Sequence, residues 1–455
     1  MQLRTFFAGL LILLSGSINS QDPSKVLSSI FDEALTDRTA YNYLEYLCKK
    51  TPGRICGSEA AARAVEYTRK ALAEAGADSV WLQEVQVPSW ERGFAKCTLI
   101  SKKTGNKDLT IAALGLSAGT SKKGIQAEVI EIKNIAELEL KGKDAIQGRI
   151  VFFNNKFDNK LINTFAGYSS AVRERTSGAS EASKYGAVAV LVRSVTPNLD
   201  DYPHTGTTRY AEGVNRIPAV AVSTIDAEVL SESLKSDPDL RIHIISTCVT
   251  HPDATSYNVI GEIKGSEKPA EIITVGGHLD SWDITEGAHD DAGGCVQAIE
   301  LIRLYHKLGI RPKRTIRAVM FMNEEMSGTG GRKYAEMAQK NNEKHYAALE
   351  SDRGVMSPRG FGFDADGERL NNLQSLSKWF KPYIITDFDK GGGGSDIGPL
   401  KAGGALLIGY IPDAQRYFSY HHSAHDKFEE VNIREIQMGS AAIASLIYLI
   451  DLFDL

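Results

Sequence analysis

From about residue 257 to the end, short apolar runs alternate with longer runs in which apolar residues recur every three or four positions. The short runs, 271–276, 315–322, 346–350 and 405–409, have strand length. The longer ones, 291–308, 330–340, 370–380 and 433–453, have helical spacing and length. Strands apolar on both sides and separated by helices belong to a sheet covered on both faces. The predicted fold is therefore α/β: a mixed, mostly parallel sheet flanked by helices. In such a sheet the functional site lies beyond the carboxyl ends of the strands.

Upstream the pattern changes twice. Residues 24–34 read as helical, and 58–75 as an amphipathic helix capped by Ser58 and stopped by Gly76. Val80, Leu82, Val85 and Val87 alternate, so 79–100 reads as strands. The stretch 110–250 holds short strand-like runs at 127–132, 149–153, 188–192 and 217–222, with one clear helix near 178–185. That is the mark of a separate β-rich module inserted into the chain. The expected organisation is 45–109 and 251–455 as two parts of one domain, interrupted by the 110–250 insertion. Residues 21–44 are a pro-segment or the start of the fold.

The first 20 residues stand apart. Arg4 precedes an apolar run over 6–14, and Ser15, Gly16 and Ser17 follow. This reads as a signal peptide cut after Ser17 or Ser20. The run is too short to span a bilayer. No later stretch reads as a transmembrane helix, so no membrane anchor is expected after cleavage. The protein is expected outside the cell or in a lumenal compartment such as the lysosome. A formal net charge of −5 with no basic block argues against nucleic acid as the main partner. The five cysteines, Cys48, Cys56, Cys97, Cys248 and Cys295, form no CxxC pair, so a cysteine zinc site is not expected. An oxidising compartment permits one or two disulfides and leaves at least one thiol free. There is no Asn-x-Ser/Thr sequon.

Candidate chemistry gathers just after the predicted strands. The first strand ends in His278-Leu-Asp280, where Asp280 can face the imidazole and accept its second N–H. Next comes Gly287-Ala-His289-Asp290-Asp291 at the start of a helix. Asp291 fits a helix cap, and Asp290 suits a carboxylate held between two cations. Asn323-Glu324-Glu325 follows the next strand; one glutamate can ligate a metal while the other takes a proton. Glu350-Ser-Asp352 ends the strand after that, and Tyr420-His421-His422-Ser423 lies in the loop before the last helix. Singly, each has a plain structural reading: a hydrogen-bonded pair, a cap, solvated loop acids, solvated histidines. Together they offer His and carboxylate donors of the kind zinc prefers, all at one end of a sheet.

These motifs resemble the co-catalytic zinc aminopeptidase and glutamate-carboxypeptidase family. The resemblance runs nearly end to end, through Pro88-Ser-Trp90, His278-Leu-Asp-Ser-Trp282, Arg311-Pro-Lys-Arg-Thr315 and Phe418-Ser-Tyr-His-His-Ser423. It implies a zinc exopeptidase fold holding two zinc ions. One is bound by His278 and Asp352, the other by Glu325 and His422 (His421 as the fallback), and Asp290 bridges them. It further implies that Glu324 is the general base and that Asp280 orients His278. The middle module, with His204-Thr-Gly206, resembles the family's protease-associated domain. The implied activity is hydrolysis of dipeptides or short peptides by a homodimer. An inert binding protein would be expected to lack ligands that this chain retains, and a hydrolase of a non-peptide amide is the other alternative. Three places depart from the family pattern: His289 where an apolar residue is usual, Arg353 where a small one is, and the glycine-rich stretch 391–395.

Overall fold

The computed structural model describes residues 22–455. The signal-peptide reading of residues 1–20 lies outside the described residues. Two eight-stranded sheets organise the described chain. The first runs in the order Ser79–Glu91, Val249–Ile263, Arg314–Phe321, Lys268–His278, Lys344–Glu350, Leu406–Pro412, Pro358–Phe363, Asp387–Lys390. Its four central strands are parallel, and antiparallel strands lie towards both edges. The chain is thus a mixed α/β protein.

The physical reason is legible in the Arg314–Phe321 strand, every residue of which is buried. Ile316, Ala318 and Met320 join one core, while Val319 and Phe321 join another on the opposite face. The helices Gly293–Leu308 and Ile433–Phe453 pack over the first face, and Thr329–Lys340 covers the second. Ser58 caps Glu59–Glu74 by accepting the Ala61 N–H at 3.1 Å.

Four expectations need correction. Ile433–Phe453 is long and apolar enough to cross a membrane on those criteria alone, yet 78% of its most apolar window is buried in the fold. The 370–380 helix is broken into Gly367–Gln374 and Ser377–Phe380. Residues 95–246 build the second sheet, but four helices accompany it rather than one: Ile135–Ile146, Thr164–Ser169, Val172–Lys184 and Thr224–Ser236. Several bury small or polar residues (Gly178, Ala179 and Ser180 in one of them), so they lack a clear apolar stripe. All five cysteines are buried and unpaired.

Residues 23–36 form a helix that buries Val26, Leu27, Ile30, Phe31 and Ala34 against the C-terminal helix. Each fully buried large side chain of this kind stabilises by about 1.5–3 kcal/mol.

Candidate metal centre

Three parallel strand ends converge on one point. His278 ends its strand in register with Phe321, so the Asn323–Glu325 loop leaves beside it. On the other side Gly276 pairs with Glu350, which brings Asp352 alongside. The Ala288–Ala292 turn then carries Asp290 and Asp291 up to the same point. Asp291 accepts the backbone N–H of His278 and of Gly294, each at 3.0 Å, as a structural cap does. It fits there because residue 277 is glycine; a Cβ would overlap its carboxylate.

Asp290 faces two ways. Its Oδ1 lies 3.1 Å from His278 Nε2, and its Oδ2 lies 3.5 Å from His422 Nε2. His278 Nε2 is also 3.6 Å from Asp352 Oδ1, and His422 Nε2 is 3.0 Å from Glu325 Oε2. Two clusters therefore share one carboxylate. In a tetrahedral site with bonds of about 2.0–2.1 Å, neighbouring ligand atoms stand roughly 3.3 Å apart. The observed separations fall on both sides of that figure. Asp290 Oδ2, Glu325 Oε1 and Asp352 Oδ1 are buried with no hydrogen-bond partner. Starved carboxylate oxygens around two imidazoles fit divalent cations, and the His and carboxylate donors suit zinc.

The electrostatics agree with that fit. Burial, and after it the nearby Asp290, pushes Glu325 well above the usual carboxylate range. Burial raises Asp352 to about 6. Burial alone would lower His278, but the Asp290 and Asp352 carboxylates beside it carry it well above the ordinary imidazole range. Burial holds His421 and His422 well below that range, with the Arg175 cation adding to it, so both are neutral. His421 stacks on His422 at 3.5 Å between ring centroids, and its Nε2 is 3.9 Å from Asp290 Oδ2. Both candidate histidines therefore reach the cluster, and His422 alone is within 4.0 Å of Glu325.

Asp280 does a different task from the one expected of its carboxylate. His278 Nδ1 meets the backbone carbonyl of Asp280 at 2.9 Å, while the carboxylate stands 3.8 Å away. That carboxylate instead accepts the backbone N–H groups of Asn323, Glu324 and Glu325 at 2.7, 3.1 and 3.3 Å. It shapes the loop carrying both glutamates, in which Asn323 has a left-handed φ of 70°. The Glu324 side chain is half-buried within reach of this acidic cluster. After burial and Asp352, its charge contributes to holding Glu350 up at about 8.

His289 is not part of the cluster. Its Nδ1 accepts the Val355 N–H at 3.3 Å, its ring stacks on Tyr420, and burial lowers it to about 4. It is a satisfied core histidine.

Several supporting contacts had no visible signal in the sequence. Buried Arg54 donates to the carbonyls of Leu279, Glu286 and Gly287, tying the His278 strand end to the Asp290 turn. Asp426 accepts the backbone N–H groups of His289 and Asp290 at 2.8 and 3.1 Å. Glu350 accepts those of Asp396 and Ile397, both at 2.9 Å, fixing the glycine-rich loop. Each of these pairings joins residues far apart in the chain.

The peptidase family M28 model matches residues 258–447. Carboxypeptidase Q from Xenopus laevis is 38% identical over 404 residues, covering 88% of this chain and 84% of that protein. Carboxypeptidase Q from Homo sapiens is 32% identical, covering 94% and 89%. Among solved structures, a peptidase M28 precursor from Shewanella amazonensis superposes with a TM-score of 0.90 at 31% identity, covering 94% of this chain and 96% of that one. A zinc aminopeptidase from Bacillus subtilis has the same fold, with a TM-score of 0.66 at 19% identity over 90% and 94%.

Proposed function

The chain belongs to peptidase family M28 and is a metallopeptidase, and from that premise we propose that it is a two-zinc exopeptidase of dipeptides or short peptides. The observation that carries the reading is the shared carboxylate, with Asp290 Oδ1 beside His278 and Oδ2 beside His422. In this reading His278, Asp352 and Asp290 hold one ion, and Glu325, His422 and Asp290 hold the other. When bound, two zinc ions would polarise the scissile carbonyl and lower the pKa of the attacking water.

The chain's own residues do the rest. Glu324 takes the proton from the attacking water and returns it to the leaving amine. Its place is set by its backbone N–H, which the Asp280 carboxylate accepts at 3.1 Å. The Asp280 carbonyl keeps the proton of His278 on Nδ1, leaving Nε2 free to ligate. Arg353, one residue past Asp352, is the cation for a peptide's α-carboxylate. It is half-buried, lies 4.9 Å over the Phe165 ring, and has no carboxylate within 4.0 Å among the described residues.

Residues 95–246, the second sheet with its helices, serve as the protease-associated insertion expected over 110–250. The apolar run within residues 1–20 supports secretion or a lumenal location, and the family resemblance supports a homodimer.

The test pairs zinc content with dipeptide hydrolysis. The wild type is expected to hold two zinc ions per chain and to lose activity on chelation. Glu324→Gln is expected to keep both ions while its turnover falls by about 10²- to 10⁴-fold. Turnover near the wild-type rate in that variant would remove Glu324 from the role of base.

A further inference from the structure

The strap His204–Thr207 crosses from the inserted module onto one side of the metal centre only. Thr205 grips His422 twice. Its backbone N–H donates to the His422 carbonyl at 2.9 Å, and its carbonyl lies 3.2 Å from His422 Nδ1, which Arg175 Nη1 also meets at 3.2 Å. His204 Nδ1–H donates to the His421 carbonyl at 2.6 Å. Burial holds His204 down at about 4, so its ring is neutral and this is its one N–H. The Thr207 hydroxyl donates to the Glu325 carbonyl at 2.5 Å. Arg175, buried on the Val172–Lys184 helix, donates to the Thr205 carbonyl at 3.3 Å and braces the strap from behind. Gly206, at φ +136°, leaves room for it, since a Cβ there would collide with the guanidinium.

His422 needs such a grip. It is a non-glycine residue at φ +63°, a conformation that persists only where the surroundings fix it. With Nδ1 turned to the Thr205 carbonyl and the Arg175 guanidinium, the ring presents Nε2 to Glu325 and Asp290. The other half of the centre receives none of this: His278 is oriented by the Asp280 carbonyl, from its own domain.

We propose that the strap is a positioning device dedicated to the Glu325/His422 metal position, so that seating of the insert sets the occupancy of the second ion and leaves the first alone. The proposal rests on the two-zinc reading above. Its test is the number of zinc ions per chain, titrated in zinc buffered by a competing chelator, for the wild type, His204→Ala, His204→Asn and Thr207→Val. His204→Ala is expected to weaken one of the two ions by roughly 10- to 100-fold and leave the other at its wild-type affinity. His204→Asn, whose amide N–H can take the place of Nδ1–H, is expected to restore the second ion. Equal weakening of both ions, no weakening of either, or an asparagine variant as poor as the alanine one overturns the proposal. If His204→Ala does not fold, Thr207→Val is read by the same criteria. A wild type that binds fewer than two zinc ions overturns the two-zinc reading instead.

Discussion

The two halves of the candidate metal centre are built by different means. The His278/Asp352 half stands on adjacent strand ends of one parallel sheet, and its imidazole is fixed by a carbonyl two residues away. The Glu325/His422 half stands on two loops, each with a residue in the left-handed region, Asn323 and His422. Those loops are held by long-range partners: the Asp280 carboxylate under one, and the insert's strap over the other. Hydrogen bonding along the sheet orders the first half with few extra parts. The second half must borrow its rigidity, so its geometry is the easier to disturb.

Asp280→Asn gives the largest contrast. The substitution leaves the carbonyl that orients His278, but it weakens acceptance of three N–H groups from the loop bearing Glu324 and Glu325. The second zinc is expected to bind roughly 10- to 100-fold more weakly, with turnover falling alongside, while the first ion is retained. Zinc titration of the variant checks this. Loss of the first ion first would return Asp280 to the simpler task of orienting His278 with its side chain.

That distinction also marks how far the sequence could be read. His278, Asp290, Glu325, Asp352 and His422 lie in short polar motifs at strand ends, a helix start or a loop, which local pattern exposes, and the family resemblance singled them out as the ligand set. The two-residue spacing of His278 and Asp280 suggested a side-chain contact, yet the backbone carbonyl took the imidazole and freed the carboxylate for the next loop. Arg54 and Asp426 left no local trace of their roles, and His204-Thr-Gly206 was visible only as part of the family resemblance, without its contact to the metal centre. His204 and His421, for example, are separated by 217 positions, and only the docking of the second sheet's residues onto the metal centre brings them together. In the fold, the Ile433–Phe453 helix was legible to the residue, because it is long and apolar residues recur along its whole length. The strands Pro358–Phe363 and Asp387–Lys390 were not, being short and rich in glycine or charge.

Arg353 belongs to the strand-end half by position, and its replacement is expected to act on substrate rather than on metal. A charge-assisted hydrogen bond to a carboxylate contributes about 1.5–3 kcal/mol, equivalent to roughly 10- to 100-fold in affinity. Arg353→Met should therefore raise KM for dipeptides with a free carboxylate by about that factor. The effect should shrink for the corresponding amides, and both zinc ions should remain. An equal loss for acid and amide substrates would detach Arg353 from the carboxyl terminus.

The two halves differ finally in their charge. Around the second half the histidines are neutral, whereas the first is crowded by Asp352, Glu350 and Asp396, all raised chiefly by burial. Glu325 of the second half is raised by burial too, so raised acids of both halves contribute to the pH dependence of the metal-free protein, and Glu350 is the strand-end contribution that can be read separately. Glu350 rises from 4.5 to about 8 in the folded chain. Between those values the folded chain keeps a proton that the unfolded chain has released. The stabilisation is full below 4.5 and is lost as pH rises through about 8. Glu350→Gln is neutral at every pH and keeps a carbonyl oxygen for the Asp396 and Ile397 N–H groups. It should flatten the fall in stability of the metal-free protein between pH 5 and 8, as followed by chemical unfolding at several pH values, and leave zinc binding at both positions nearly unchanged. An unaltered pH slope would move the source of that dependence to the other raised acids of the centre, Asp352, Asp396 and Glu325.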